Sequence, residues 1–153
     1  MKKQKVILFI SIITVILCTL IPNVYYTISY AQATRASDEQ LIARAINGEA
    51  RGEPYEGQVA VGAVILNRVA SPDFPNTVAG VIYQPGAFTA VSDGQINVPI
   101  DPNSTVVKAA RDAINGWDPT GGSLYYWNPQ TATSKWIWSR QIIKVIGKHN
   151  FGK

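Results

Sequence analysis

The sequence predicts an α+β domain, a helical lobe followed by a small antiparallel β-sheet. Three observations carry this reading. Residues 37–69 and 103–116 place apolar residues at helical spacing. The last third gathers aromatic and β-branched residues into short extended pieces. Strong turn formers, Gln84-Pro85-Gly86 and Trp117-Asp118-Pro119-Thr120-Gly121-Gly122, separate these segments.

The opening segment is set aside first. Met1-Lys2-Lys3-Gln4-Lys5 is a basic stretch, Val6 to Leu20 is an apolar or small-residue run, Pro22 breaks it, and Ala31-Gln32-Ala33 offers a cleavage site. Residues 1–33 therefore read as a secretory signal peptide and residues 34–153 as one domain. The competing reading, an uncleaved membrane anchor running to Ala31, is disfavoured by Pro22 and Asn23. Leu17 before Cys18 is a poor lipoprotein signal. No stable membrane insertion is expected after cleavage. Lys2, Lys3 and Lys5 leave with the leader, so the formal charge of +4 falls to about +1, and no nucleic-acid partner is implied.

Ser37-Asp38-Glu39-Gln40 has the form of a capping box with Ser37 as N-cap. In the helix that follows, at roughly 100° per residue, Leu41, Ala45, Ile42 and Ile46 fall at roughly 0°, 40°, 100° and 140°. Glu49 falls near 80° on the same wheel, inside the apolar arc, and is expected to face inward. Burial and the negative end of the helix would both favour its neutral acid form, which is what a general acid needs; Arg51, by pairing with it, would act the other way. A solvated Glu49 on a frayed last turn, turned outward by Gly48, is the competing reading.

Pro54 suits the first position of a second helix running to Val69, which puts Glu53 at a helix N-terminus, where an ionised carboxylate is favoured. Gly57, Ala60, Gly62 and Ala63 keep the surface of this helix small for close packing on the first, and Asn67-Arg68 suits a polar exit. A short helix with Val78, Val81 and Ile82 on one side follows and stops at Gln84-Pro85-Gly86. Ala87 to Val91 alternates and precedes Ser92-Asp93-Gly94-Gln95, a hairpin signal. A third long helix starts at Asn103 or Ser104 and closes at Asn115-Gly116. Leu124 to Pro129 and Lys135 to Trp138 read as extended pieces, and Ile142 to Phe151 as a terminal strand.

Beyond the leader there is no cysteine, and His149 is the single histidine, read as a strand-end side chain. Disulfides and a cysteine nucleophile are excluded. A metal cluster or a Ser-His-Asp triad would rest on His149 alone, so no metal and no cofactor is expected. Catalysis, if present, runs on carboxylates: Glu49 as the acid, with Glu53, Asp93 or Glu56 as a possible second. Tyr125, Tyr126, Trp127, Trp136 and Trp138, with Asn128 and Gln84, have the chemistry of a sugar-stacking groove. Tyr126, Asn128 and Trp136 are assigned to that groove, Trp127 and Trp138 to the core. Gln84, Phe88 and Thr89 are expected to border the cleft.

Leu41 to Pro54, Val61 to Val69, Tyr83 to Phe88, Gly116 to Gly122 and Ser134 to Arg140 together resemble the catalytic domain of the SleB/CwlJ family, the spore cortex-lytic cell-wall hydrolases. The resemblance covers residues 38–151. It implies a lysozyme-like fold acting on peptidoglycan glycan strands, with Glu49 matching the catalytic acid. It also implies, for the SleB branch, lytic transglycosylation at the N-acetylmuramic acid–N-acetylglucosamine bond that leaves a 1,6-anhydro sugar. The leader runs almost directly into this domain, with no N-terminal peptidoglycan-binding repeat, so a role on vegetative or sporulating cell wall stands beside one in germination. The implied setting is a monomer secreted to the cell wall or spore envelope. A simple hydrolytic muramidase or glucosaminidase and a non-catalytic peptidoglycan-binding module are the alternatives.

Overall fold

The structure, a computed structural model, describes the backbone of residues 2–153 and the side chains of residues 24–153. The basic stretch, apolar run and Pro22 of the expected leader lie outside the described side chains. The chain divides into two units, residues 1–37 and 38–153. In the first, residues 24–36 are exposed on helix α1 (Lys2–Ala50), and Thr27, Thr34 and Ser37 each donate to a carbonyl three or four residues back. Ser37 is therefore not an N-cap. Its hydroxyl bonds Thr34 O at 2.7 Å inside a continuing helix, where the preceding turn already supplies the amides with acceptors. Among the described residues no helix is long and apolar enough to cross a membrane.

The second unit is built around helix α2 (Tyr55–Ala70), whose residues Gly57 to Ile65 are all buried. Pro54 sits at its N-cap position rather than inside the first turn, with extended ψ. One face of α2 meets the end of α1 through Ile42, Ala45 and Ile46, α3 (Val78–Ile82) through Val81 and Ile82, and α5 (Thr105–Ile114) through Val107 and Ala110. The other face, Ala60 and Val64, packs on Ile146 and Phe151 of the sheet. Small residues on α2 permit this double contact: a methyl at Gly62 would sit 3.1 Å from Ala113 Cβ and 3.2 Å from Ile46 Cδ1.

The sheet is antiparallel, in the order β1 (Tyr125–Trp127), β3 (His149–Gly152), β2 (Ile142–Ile146). The register sets Tyr126 opposite Phe151. The α+β layout predicted from sequence is the observed one, with four local corrections besides those at Ser37 and Pro54.

Residues 142–151 form a hairpin rather than one strand, because Gly147 takes the left-handed conformation (φ 57°) that reverses the chain. Residues 87–95 form a short helix α4 (Thr89–Ser92) and a 3-10 turn (Gln95–Asn97), not a hairpin. The Asp93 carboxylate accepts from Gln95 N–H at the entry to the turn, and Gly94 is the left-handed hinge between the two. An Asp-Gly pair marks a left-handed residue, and helix ends use one as readily as hairpins do. Lys135 to Trp138 is not extended. Ile137–Ser139 is a 3-10 turn that buries Ile137 and leaves Trp138 49 % exposed, so Trp138 is not core, whereas Trp127 is. The fourth correction is Arg68, which is buried.

The α2 exit grips the start of β1. Asn67 Nδ2 donates to Ser123 O and to Asp118 Oδ2, and Arg68 Nε donates to Leu124 O at 2.7 Å. Asp118 closes the intervening loop, accepting from the amide and hydroxyl of Thr120 and from the amide of Gly122. Burial alone would raise its carboxyl pKa. The hydrogen bonds from Thr120, Asn67 and Gly122 outweigh that and hold it below the ordinary value. A depressed carboxylate contributes stability above its unfolded pKa of about 4 and loses it as pH falls through the lower folded value. Asp118→Asn should cost about 1–3 kcal/mol at pH 7. The difference from wild type should narrow below pH 4, as read from denaturant midpoints across pH.

Candidate active site

Glu49 lies in the last turn of α1, half-buried, with both carboxylate oxygens occupied. The Ala90 amide donates to Oε1 at 2.8 Å, and the Tyr126 hydroxyl donates to Oε2 at 3.1 Å. The inward placement expected from the helical wheel is the observed one. Ala90 is the second residue of α4, whose N-cap residue Phe88 offers no side-chain cap, so the Glu49 carboxylate supplies an acceptor that α4 otherwise lacks. Arg51 does not pair with Glu49; its Nη1 donates to Gln95 Oε1 at 3.0 Å.

Gly48 makes this geometry possible. A β-carbon there would overlap that of Ala90 and come within 3.3 Å of Gln95 Cβ. Gly48→Ala should therefore push α4 off α1 at a cost of about 1–3 kcal/mol. Hydrogen exchange would report it as lost protection of the Ala90 amide.

Tyr126 stands at the centre of the site. Its ring is 5.6 Å from His149, 6.1 Å from Phe151 and 6.5 Å from Phe88, centroid to centroid. Burial and then the charge of Glu49 raise its pKa well above that of an ordinary phenol, against a smaller opposing pull from Arg68. The hydroxyl thus stays a proton-bearing donor aimed at the carboxylate.

The other expected carboxylates are placed differently. Glu53, its side chain 7 % exposed, accepts from Lys148 N–H at 2.8 Å and faces His149 Nδ1 at 3.7 Å. It fastens the β2–β3 turn to the α1–α2 junction, and Gly147 lies so close that a side chain there would run into it. Asp93 and Glu56 are exposed, Asp93 serving the turn after α4. His149 opens β3, the strand-end position expected for it.

An open groove of about 310 Å³ shares Tyr126 with the Glu49 site, though Glu49 itself is not among its lining residues. Gln84, Tyr126 and Trp136 line it, as the sequence suggested, together with Tyr125, Pro85 and Arg68. Glu49 joins it through Tyr126. The Trp136 ring is half-exposed, meets Tyr125 edge-on at 5.0 Å and carries the Arg140 guanidinium 4.6 Å from its centroid. Phe88 is buried behind the groove at 3 % exposure instead of at its rim, because α4 turns it inward. Thr89 is exposed on α4. Asn128 holds a turn, its side-chain oxygen accepting from Gln130 N–H and its carbonyl from the Ala132 amide.

The residue that sequence reasoning missed is Arg68. The signal was present: it follows Val61, Val64 and Ile65 by seven, four and three residues, so it shares the buried stripe of α2. That is the same anomaly of a charge on an apolar face that picked out Glu49.

The model of the family described as cell wall hydrolase matches residues 52–152, beginning just after Glu49. The chain belongs to the cell wall hydrolase family. Among its relatives is the spore cortex-lytic enzyme of Bacillus cereus, 68 % identical over 117 residues, which are 76 % of this chain and 44 % of that protein. The chain thus spans less than half the length of this relative. The crystal structure of the catalytic domain of the B. cereus SleB protein superposes with a TM-score of 0.70 at 69 % identity, covering 76 % of this chain and 89 % of that one. The catalytic domain of the germination-specific lytic transglycosylase SleB from Bacillus anthracis gives 0.71 at 68 % identity, covering 76 % and 93 %. A helical lobe followed by a small three-stranded antiparallel sheet is the fold this chain shares with them.

Proposed function

We propose that the chain degrades peptidoglycan as a lytic transglycosylase, cleaving the N-acetylmuramic acid–N-acetylglucosamine bond. The observation that carries this reading is the Glu49 carboxylate, half-buried, held by the Ala90 amide and the Tyr126 hydroxyl, and joined through Tyr126 to an aromatic groove. The groove walls suit pyranose rings, whose C–H faces stack on Tyr125 and Trp136 while Gln84 can bond hydroxyls.

In this mechanism Glu49 protonates the glycosidic oxygen as the bond breaks through an oxocarbenium-like state. The carboxylate left behind keeps its two donors, so the charge that develops on it is met without rearrangement. It then takes the proton of the muramic C6 hydroxyl as that oxygen closes on C1. The intramolecular route needs no second protein carboxylate. The commitment of Glu53 to the β2–β3 turn favours it over a two-carboxylate hydrolysis. The cell wall or spore envelope, reached by secretion on a cleaved leader, is the matching location, and glycan strands are the partner. The name and likeness of the B. anthracis enzyme agree with this reading.

The test is to incubate the purified protein with spore cortex and with vegetative wall and to analyse the released muropeptides by mass. Products bearing 1,6-anhydromuramic ends support the proposal. Reducing ends would replace transglycosylation with hydrolysis, and intact glycan would reduce the protein to a binding module.

A further inference from the structure

Among the described residues, Arg68 is a buried cation without an acidic partner. It is 7 % exposed, and burial lowers its pKa, with only Tyr126 and Tyr125 acting the other way. Its Nε is spent on Leu124 O, while its two terminal nitrogens have no protein acceptor and no ion pair among the described residues. Aromatic faces surround it instead: the guanidinium carbon lies 5.3 Å from the Phe74 centroid, 5.5 Å from Phe88 and 5.7 Å from Tyr125. Rings stabilise a desolvated cation and fix its plane, yet they leave its hydrogen-bond donors unused.

Such a group is expensive unless something else completes it. Arg68 lines the groove, and no acidic residue is among the described residues lining it. A guanidinium with Nε anchored and its terminal pair unclaimed has the fork geometry that takes a carboxylate.

We propose that Arg68 is a substrate-binding residue that holds a carboxylate borne by the muramyl substituent, and so sets which glycan unit occupies the groove. This rests on the peptidoglycan reading above. The ligand chemistry is a carboxylate next to a pyranose. It has two sources: the lactyl acid of an unsubstituted muramic residue, and a carboxylate of the stem peptide attached to it. An uncharged glycan repeat leaves the guanidinium unpaired, so Arg68 selects for muramic over glucosamine units at this position.

The experiment uses the full chain carrying Glu49→Gln, so that ligand is not consumed, and measures affinity by calorimetry for three tetrasaccharides of alternating N-acetylglucosamine and N-acetylmuramic acid. One has free lactyl acids, one has them converted to methylamides, and one carries a short acidic stem peptide. An acidic ligand should bind about tenfold more tightly than the methylamide, as expected for a charge-assisted bond to a buried guanidinium. Preference for the free acid assigns the lactyl carboxylate; preference for the peptide-bearing glycan assigns the stem peptide. Adding Arg68→Gln should erase the preference, with circular dichroism confirming the fold. The comparison among ligands stands without that variant. Equal affinity for all three, or a preference that survives Arg68→Gln in folded protein, overturns the assignment and leaves the glycan reading intact. Binding of none overturns both.

Discussion

Glu49→Gln should lower turnover of peptidoglycan by on the order of 10²–10⁴-fold, the usual contribution of a positioned general acid–base. The amide is nearly isosteric and its oxygen still accepts from the Ala90 amide, so α4 keeps its cap and the fold should persist. The tyrosine contact is also retained if the amide nitrogen faces the phenol oxygen as donor. What disappears is the transferable proton. The measurement is the rate of anhydromuropeptide release set against glycan affinity and thermal midpoint for the same preparation. A variant that binds and melts like wild type but does not cleave places Glu49 in the chemistry. Undiminished release would remove it.

The second large effect is expected far from the acid in sequence. Phe151 is fully buried between Ala60 and Val64 of α2 and Ile146 of β2, and it pairs across the sheet with Tyr126. Phe151→Ala should cost about 3–5 kcal/mol, since a rigid helix on one side and a hydrogen-bonded hairpin on the other prevent collapse into the void. Against a typical total of about 5–15 kcal/mol this is a large fraction of the whole. A guanidinium titration should show a lower midpoint at unchanged slope. Activity should fall further than the folded fraction predicts, because the cavity frees the Tyr126 ring that aims a hydroxyl at Glu49. A loss of activity that matched the folded fraction alone would mean that Phe151 does not steer Tyr126.

Much of the helical lobe was legible because its periodicity is local. The wheel through Leu41, Ile42, Ala45 and Ile46 also located Glu49. The sheet was legible as a region but not in detail. Ile142 to Phe151 contains one turn residue, Gly147, in an otherwise strand-like run, and only the tertiary packing on Glu53 shows that the chain reverses there. Residues 87–95 were misread because Asp93-Gly94 announces a left-handed residue without saying which element it ends. Arg68 was misread by a sound rule, that a basic residue near a helix C-terminus faces solvent, which yielded here to three aromatic rings brought from elsewhere in the chain. Tyr126 was assigned to the groove, but its bond to Glu49 spans 77 positions and no local pattern encodes it.

That separation has an operational meaning. The acid touches one partner 41 positions away and another 77 away, on a helix and on a strand that only the finished tertiary structure brings together. A partly folded chain with its helices intact would still lack a competent centre, since long-range contacts form only after the loops between them close. On warming, lytic capacity should fade while the far-ultraviolet helix signal still looks native, so enzymatic competence would report sheet docking more sensitively than spectroscopy does.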